Sequence, residues 1–483
     1  MVKEKTIIYL IAMVALVLTS CNGSDGLSVA ETDALSATGN VAVNIDCMIM
    51  GAQAAQTRAG ITGSINDTQL QTYGVGVFAY YTGNSTWASA GSSTIPNFMY
   101  NQHVEYLPVG LDGEGHDIYR WIYEPVKYWP NDNQPADDAG ATGSMEHSYL
   151  SFFAYAPYVE VTPGTGVVTD GSTTGITAMT ANDVAGAPKV TYTWKNDIKG
   201  QVDLLWGTRG KASYDEADGT ANAGTVGTDV NTDLTKQKTN EKVAFLFKHA
   251  MASVKIRVQR LYDHTTEANA IVPEATKIFV SQLKLTPVTD FEPYSTAKLN
   301  LTDGTWGDAD GKGGVLTYSY DHFNKELSGS TLGNDGNITA LRTYELDKID
   351  LYGADAGVNE QQRLLTTDES LLMMIPVLRD GHLKMTPELK YSFVTRDNAL
   401  ELNYLTDSSG NRYSRIVNTV TGDPVDFSSL EAGKQYTILC KIGVESVQFE
   451  VAAVEDWDFP IRLDGVTVTD NSTTTIDKTV NEE

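Results

Sequence analysis

The stretch Val41-Ala-Val-Asn-Ile-Asp-Cys-Met-Ile49 alternates apolar and polar side chains over most of its length. Successive side chains of an extended chain point to opposite faces, so a period of two predicts a β-strand with one buried face. A strand of this kind needs a sheet and an apolar core around it. The residues predicted to face that core are Val41, Val43, Ile45, Cys47 and Ile49.

Similar short apolar stretches recur along the whole chain, separated by segments rich in Gly, Ser, Thr and Asp. The 24 Tyr residues and the many Thr and Val residues favour strands, because aromatic and β-branched side chains pack well on a pleated surface. The first half contains seven predicted strands: Val41–Ile49, Tyr73–Tyr81, Met99–Leu107, Ile118–Trp129, Tyr149–Tyr155, Lys189–Trp194 and Val202–Trp206. The second half contains seven more: Phe245–Val258, Ile278–Leu285, Ala297–Leu301, Leu371–Pro376, Leu389–Val394, Gln435–Ile442 and Val447–Trp457.

Two sets of seven short strands predict an all-β chain that folds as two β-sandwiches in tandem. A chain of 483 residues is also too long for a single hydrophobic core. Residues 163–186 are predicted to be a loop, and residues 207–240 a long loop or linker. We therefore expect an N-terminal domain over residues 41–240 and a C-terminal domain with a tail over residues 241–483.

The first 40 residues have the features of an export signal followed by a flexible linker. Two lysines precede the apolar run Ile7–Leu18, whose length of about 12 residues is well short of the roughly 20 that span a bilayer. The run ends in Leu18-Thr-Ser-Cys21, which resembles the lipobox of bacterial lipoproteins. The resemblance implies a signal peptide over residues 1–20, acylation of Cys21, and a linker over residues 21–40.

Charge and cysteine content exclude several classes of protein. With 35 basic and 62 acidic residues, the net charge of −27 argues against nucleic acid as a partner, because phosphate contacts need clustered Lys and Arg. Cys47 and Cys440 each lie in an alternating apolar stretch and are predicted to be buried thiols, not bridge partners or metal ligands. His249 is likewise predicted to be a hydrogen-bonded core residue.

No motif of a known catalytic class is present, and we predict neither enzyme activity nor a cofactor or metal. Weaker candidates have ordinary alternatives. Acidic turns at Asp308–Gly311 and Pro130–Asn133 suggest Ca²⁺ loops but lack the complete spacing. Carboxylate pairs could suit a glycosidase or be solvated turn residues, and tryptophans could stack on sugars or pack in the core. These pairs and tryptophans are Asp137-Asp138, Glu455-Asp456, Trp87, Trp121 and Trp129.

A series of short motifs, taken in order, resembles the fimbrillins, the subunits and related surface lipoproteins of type V pili. The series consists of the lipobox, Thr57-Arg58-Ala59, Lys127–Pro130, Phe152–Tyr158, Asp203–Gly207, Phe247–Ala250, Met374–Pro376, Leu430–Tyr436 and Val454–Trp457. One departure is Val377, where relatives often have Gln. The resemblance implies two transthyretin-like β-sandwich domains and a role as a fimbrial subunit or anchored cell-surface adhesin.

The resemblance also implies a route to assembly. A lipidated precursor reaches the cell outer membrane, and a trypsin-like maturation protease cuts between Arg58 and Ala59. Loss of the first strand then opens a groove, which a strand of another fimbrial subunit fills. Arg58 as a plain solvated loop residue is the alternative, and then the protein stays an anchored lipoprotein with an unknown host or bacterial surface ligand.

Two further alternatives stay open at this stage. A surface glycan-binding lipoprotein of a nutrient-uptake system is also lipidated and rich in β-sandwiches. The tail after Trp457 contains Val466-Thr-Val468 and Ile476, so it is either a donor strand or a frayed terminus.

Overall fold

The computed structural model describes the greater part of the chain, with gaps. The described residues are 41–49, 64–130, 148–169, 174–210, 225–235, 242–260, 276–319, 331–332, 338–340, 363–364, 372–401, 404–406, 411–442 and 447–457. The predicted signal peptide, linker and C-terminal tail lie outside them. Within these ranges, no helix has the length and apolar character needed to cross a membrane.

Strands dominate the described residues. In chain order the first fourteen are β1 (Asn44–Ile49), β2 (Val75–Gly83), β3 (Met99–Leu111), β4 (Asp117–Ile122), β5 (Tyr149–Ala156), β6 (Val161–Thr162), β7 (Val167–Val168), β8 (Ile176–Met179), β9 (Lys189–Thr193), β10 (Leu205–Arg209), β11 (Asn231–Leu234), β12 (Lys242–His249), β13 (Ala252–Arg260) and β14 (Thr276–Pro287). The others are β15 (Thr296–Asn300), β16 (Trp306–Asp310), β17 (Leu316–Ser319), β18 (Thr331–Leu332), β19 (Ile338–Ala340), β20 (Arg363–Leu364), β21 (Leu372–Met374), β22 (Leu383–Arg396), β23 (Leu405–Thr406), β24 (Arg412–Thr421), β25 (Val425–Phe427), β26 (Lys434–Ile442) and β27 (Val447–Asp456).

The helices are short. Helix α1 (Asp67–Tyr73) begins with a capping box, in which the Asn66 side chain accepts the Gln69 N–H and the Gln69 side chain accepts the Asn66 N–H. It ends at Gly74, whose φ of 68° is readily adopted only by glycine. Helix α2 (Trp87–Ala90) and two 3₁₀ turns, Gly91–Ser93 and Ile198–Gly200, complete the set in the described residues.

The largest sheet has the order β1-β12-β10-β5-β2-β3-β4, and β11 also pairs with β5. The sheet curls, because its end strand β1 also contacts β4 at the opposite end. An isolated bridge lies at the same junction. It joins Ala42, just before β1, to Tyr128, which follows β4. The curled sheet therefore encloses an apolar interior.

Alternation along β2 and β5 divides the apolar side chains between two cores. Val77 and Phe152 point into the interior of the curl, where they join the β1 side chains. Phe78 and Phe153 point the other way, into a second core shared with β8, β9 and strands of the second half. Both faces of these central strands are thus buried, which explains why their sequences are almost continuously apolar.

The second core is covered by three further sheets. Their strand orders are β16-β15-β9-β8-β7-β6, then β20-β13-β26-β27 with β21 beside β13, then β17-β14-β22-β24-β23 with β25 beside β22. β18 and β19 form a separate pair. In the first of these sheets β15 pairs with β9, so strands from the two halves of the chain share one sheet. β12, which follows residue 240 in the sequence, likewise pairs with β10 and β1 of the first half.

The structure corrects several sequence predictions. Phe245–Val258 is two strands, β12 and β13, which enter different sheets on either side of Ala250 and Met251. The predicted loop 163–186 contains β7 and β8, and the predicted linker 207–240 contains the end of β10 and the whole of β11. Ile118–Trp129 is a strand only as far as Ile122.

The predicted fold class is confirmed in its general form, since the described residues are mostly β and form several sheets. The division into domains at residues 240 and 241 stays a prediction.

Candidate strand-exchange site

Strand β1 occupies one end of the curled sheet and pairs with a single strand, β12. The pairing is parallel and in continuous register, from Asn44 opposite Lys242 to Ile49 opposite Phe247. At the exposed start of the pairing, Lys242 Nζ lies 3.1 Å from Asp46 Oδ2. Before Asn44, the chain is held to the segment after β4 by two backbone hydrogen bonds. The Val43 N–H donates to the Lys127 carbonyl, and the Trp129 N–H donates to the Val41 carbonyl.

The predicted buried face of this strand is confirmed for the four residues from Val43 onward. Val43, Ile45, Cys47 and Ile49 are each at most 6% exposed, and Asn44 and Met48 between them are exposed. Val41, just before them, is only partly buried. Burial of a Val or Ile side chain contributes about 1.5–3 kcal/mol, so these residues bind β1 firmly to the core.

Aromatic side chains form much of the surface against which this buried face packs. Trp121, Trp129, Phe152 and Phe245 belong to the same apolar cluster as the β1 residues. If β1 were removed, the cluster would open along a groove bounded by β12 on one side and by β4 and the segment after it on the other. Such a groove would expose both apolar surface and the unpaired edge of β12.

Covalent continuity between β1 and the rest of the protein runs through residues 50–63. Arg58 and Ala59, the predicted cleavage site, lie in this segment and thus outside the described residues, as does the predicted lipidation site Cys21. Both flanks of the segment are anchored. The Ile49 N–H donates to Asp67 Oδ1 at 3.1 Å, and the Ile65 N–H donates to Asp203 Oδ2 at 3.2 Å.

Asp203 is the centre of a buried polar cluster that sequence analysis does not identify. Its Oδ2 lies 2.5 Å from His249 Nδ1, and both side chains are at most 2% exposed. If the Asp203 carboxyl group is ionised, it can only accept this hydrogen bond, and the imidazole Nδ1 is then the donor. The other oxygen, Oδ1, has no hydrogen-bond partner in the described part of the chain. The His249 ring stacks on Trp457 with a centroid distance of 4.0 Å.

This cluster connects three distant parts of the sequence. Ile65 follows the segment that contains Arg58, Asp203 and His249 lie beside and on the central sheet, and Trp457 is the last described residue before the tail. Sequence analysis predicts His249 to be a hydrogen-bonded core residue, and this is confirmed. The signal that could identify its partner is the acidic residue in the apolar stretch Val202–Trp206, although 46 positions separate the two residues.

The two cysteines behave as predicted. Cys47 and Cys440 are both buried and neither forms a disulfide. Burial raises the pKa of the Cys47 thiol, with the nearby Asp46 carboxylate acting in the same direction. Because the thiolate is the reactive form, Cys47 is protected from oxidation while β1 is in place.

The other candidate sites gain no support. Asp308 accepts a hydrogen bond from Lys298 Nζ at 3.1 Å, which lowers the pKa of the Asp308 carboxyl. The positive charge of Lys298 balances the negative charge of this carboxylate. No group of three potential metal ligands occurs among the described residues. Asp137 and Asp138 lie outside them, and Asp456 is paired with Lys434. That the chain needs no cofactor stays a prediction.

The tryptophans considered as a sugar platform serve the cores instead. Trp121 is 8% exposed and Trp129 is 2% exposed. Trp87 packs between Tyr80 and Phe153, with ring centroids 4.9 and 4.8 Å away. Trp121 and Trp129 are therefore core residues, and Trp87 packs against the second core, which is the alternative interpretation that the sequence left open.

Comparison with known proteins agrees with the resemblance seen in the motifs. No family model matches the chain. The chain is 25% identical over 411 residues to fimbrium subunit Fim1C of Phocaeicola vulgatus, covering 83% of this chain and 86% of the relative. Its fold is shared with the crystal structure of a fimbrial protein from Bacteroides vulgatus, with a TM-score of 0.52, 21% identity, and coverage of 86% of this chain and 99% of the other. The predicted resemblance to fimbrial subunits is confirmed, and these relatives are structural proteins, not enzymes.

Proposed function

We propose that this protein is a fimbrial subunit that matures by losing β1 and assembles by accepting a strand of another subunit into the vacated groove. The observation that carries the proposal is the position of β1. It is the first described strand, it contributes a full row of buried side chains, and cleavage after Arg58 would leave it attached by noncovalent contacts alone. Similarity to Fim1C over most of the chain supports the same role.

The physical logic of assembly follows from the groove. An empty seat beside β12 has unpaired backbone groups and an apolar floor, so it favours β-strand addition by any extended chain with an alternating apolar face. A strand supplied by the next subunit makes a contact between two different surfaces, and such head-to-tail contacts propagate into filaments. Other fimbrial subunits are therefore the proposed partners.

The proposal includes the location and domain type implied by the resemblance. The precursor is exported with residues 1–20 as its signal peptide and is anchored in the cell outer membrane through acyl chains on Cys21. A trypsin-like protease then releases the subunit for incorporation into the fimbrium. The sandwich around β1 and the sandwich of the second half are proposed to be transthyretin-like domains. The separate sheets with inward-facing apolar rows support this assignment.

Replacement of Arg58 by glutamine should abolish both maturation and assembly. Limited trypsin treatment of the chain without its signal peptide should cut the wild-type protein to a product that begins at Ala59. The variant should remain uncut at this position. Mass spectrometry identifies the product, and negative-stain electron microscopy detects filaments. Arg120→Gln, on the exposed surface of β4, is the matched control and should behave as wild type. A wild-type chain that begins at Ala59 and stays monomeric under all conditions would contradict the assembly step.

Replacement of Cys21 by alanine should remove the membrane anchor. With no acylated cysteine, the protein should leave the membrane fraction or retain its signal peptide, because stable anchoring requires the acyl chains. Fractionation of cells followed by immunoblotting measures this. Cys440→Ala is the control, since that thiol is buried in the second core and should not affect fractionation. Unchanged membrane association of Cys21→Ala would exclude the lipoprotein assignment.

A further inference from the structure

The outer edge of β1, opposite β12, is held by side chains and not by a second ladder. Backbone N–H and C=O groups of alternate residues in a strand point to opposite edges. Odd-numbered residues of β1 thus direct their backbone groups away from β12, toward β4 and α1. Tyr123 Oη donates to the Val43 carbonyl at 2.6 Å, and Trp121 Nε1 donates to the Cys47 carbonyl at 3.1 Å. Asp67 Oδ1 accepts the Ile49 N–H at 3.1 Å.

The Tyr123 hydroxyl has a fixed direction. It accepts the Lys127 N–H at 3.3 Å, so its own proton is available for the Val43 carbonyl. Lys127 completes the arrangement, because its carbonyl accepts the Val43 N–H at 2.9 Å. Burial raises the pKa of Tyr123 to about 12, because the ionised phenolate is disfavoured away from water.

The contacts that reach Val43, just before β1, and Cys47 and Ile49 within it are all to backbone atoms, so none depends on the identity of a side chain of this strand. The two donors are largely shielded from water, and the acceptor Asp67 is partly buried. Trp121 is 8% exposed and Tyr123 is 7% exposed, and Asp67 lies in the first turn of α1, beside the capping box. A hydrogen bond in such a site costs more to lose than one at the surface.

We propose that Trp121, Tyr123 and Asp67 form a backbone clamp that recognises any extended apolar strand seated parallel to β12. The clamp requires two carbonyl groups four residues apart, as at Val43 and Cys47. It also requires an N–H two residues after the second carbonyl, as at Ile49. Because it reads only the backbone, it holds β1 in the precursor and then holds the strand that replaces β1. This inference rests on the proposed function, to which it adds the orientation of the incoming strand and the residues that bind it.

Matched variants separate the hydrogen bonds from the packing of the rings. Tyr123→Phe removes the clamp hydroxyl, and its control is Tyr80→Phe, because the buried Tyr80 hydroxyl has no hydrogen-bond partner among the described residues. Trp121→Phe removes the clamp N–H together with ring volume. Its comparator is Trp129→Phe, which loses the same volume in the same core but an indole N–H that has no such partner.

The measurement is the rate at which the β1 fragment leaves the full chain after cleavage between residues 49 and 64. A recognition sequence for a protease of different specificity, inserted in this segment, makes the cut independent of Arg58. Size-exclusion chromatography with mass spectrometry follows the release. Tyr123→Phe should release the fragment about tenfold faster than Tyr80→Phe, since a buried carbonyl loses its donor. Trp121→Phe should exceed Trp129→Phe by a similar factor, and Asp67→Ala should accelerate release because the Ile49 N–H loses its acceptor.

Equal release rates for Tyr123→Phe and Tyr80→Phe, or for Trp121→Phe and Trp129→Phe, would overturn the clamp. Substituting serine for the exposed Met48, on the opposite row of β1, should leave the rate within about twofold of wild type, because the clamp contacts no side chain of β1. Faster release from the clamp variants without filament formation by the wild type would support the clamp and contradict the proposed assembly. Filament formation by the wild type together with equal release rates would support the proposed assembly and contradict the clamp.

Discussion

Replacement of His249 by alanine should lower the free energy of unfolding by about 3–5 kcal/mol, the usual cost of leaving a buried carboxylate without its partner. The carboxylate of Asp203 is fully buried and one of its oxygens has no hydrogen-bond partner within the described residues. Without the imidazole, its one remaining contact of known geometry is the Ile65 N–H at 3.2 Å. The substitution also removes the stack on Trp457. Urea denaturation, followed by tryptophan fluorescence, measures the change.

His116→Ala is the matched control for this prediction. His116 faces Asp112 at 3.2 Å, but its side chain is 72% exposed and the pair is solvated at the end of the β3–β4 hairpin. Exposed pairs of this kind contribute little, so the unfolding midpoint should stay close to that of wild type. Asp203→Asn provides a second variant, which keeps the shape of the side chain and removes its charge. A loss below about 1 kcal/mol for His249→Ala would show that the pair is not the stabilising element described above.

The position of this cluster has a consequence for maturation. Loss of β1 removes one complete row of apolar contacts from the interior of the curled sheet, and a subunit must remain folded until another strand arrives. Asp203 holds Ile65 on the side of the cleaved segment that stays with the subunit, and His249 holds Trp457 in the second core. These contacts do not involve β1, so under the proposed maturation we expect them to persist after cleavage and to keep the chain that borders the groove in place.

Sequence periodicity predicts strands well where one face is fully buried. The alternation at Val41–Ile49 identifies β1, and Gln435–Ile442 coincides with β26 almost to the residue. Strands with little buried surface escape detection for the same reason. In β24 (Arg412–Thr421) only Tyr413 is buried, and the two-residue strands β6 and β7 are too short to show any period.

Pairing between distant strands cannot be read from local pattern. β1 and β12 are parallel partners although 198 positions separate Asn44 from Lys242, and nothing in either stretch specifies the other. The same limit applies to the backbone clamp. The sequence predicts Trp121 and Tyr123 only as part of the strand Ile118–Trp129, which extends beyond the observed end of β4. Their role depends on where β4 stops, and the stop at Ile122 turns the following residues toward β1.

Substitution of aspartate for both Val466 and Val468 should abolish filament formation without affecting cleavage at Arg58. In the structure the position of β1 holds a row of apolar side chains that are almost completely buried, and a charged side chain in such a row costs several kcal/mol. If the C-terminal tail supplies the incoming strand, Val466 and Val468 are its apolar row, by the same alternation that defines β1. The measurement is light scattering after trypsin treatment, with electron microscopy of the products.

Thr467→Asp combined with Thr469→Asp is the control, because it adds the same charge to the same segment on the opposite row. A donor strand seated like β1 exposes this row, as Asn44 and Met48 are exposed in the precursor, so the control should assemble as wild type. The two variants have the same net charge and the same length, and they differ only in which face of an extended strand is charged. Normal filaments from the Val466 and Val468 variant would exclude this segment as the donor. Failure of both variants would instead indicate that added charge, not the loss of an apolar row, prevents the subunits from associating.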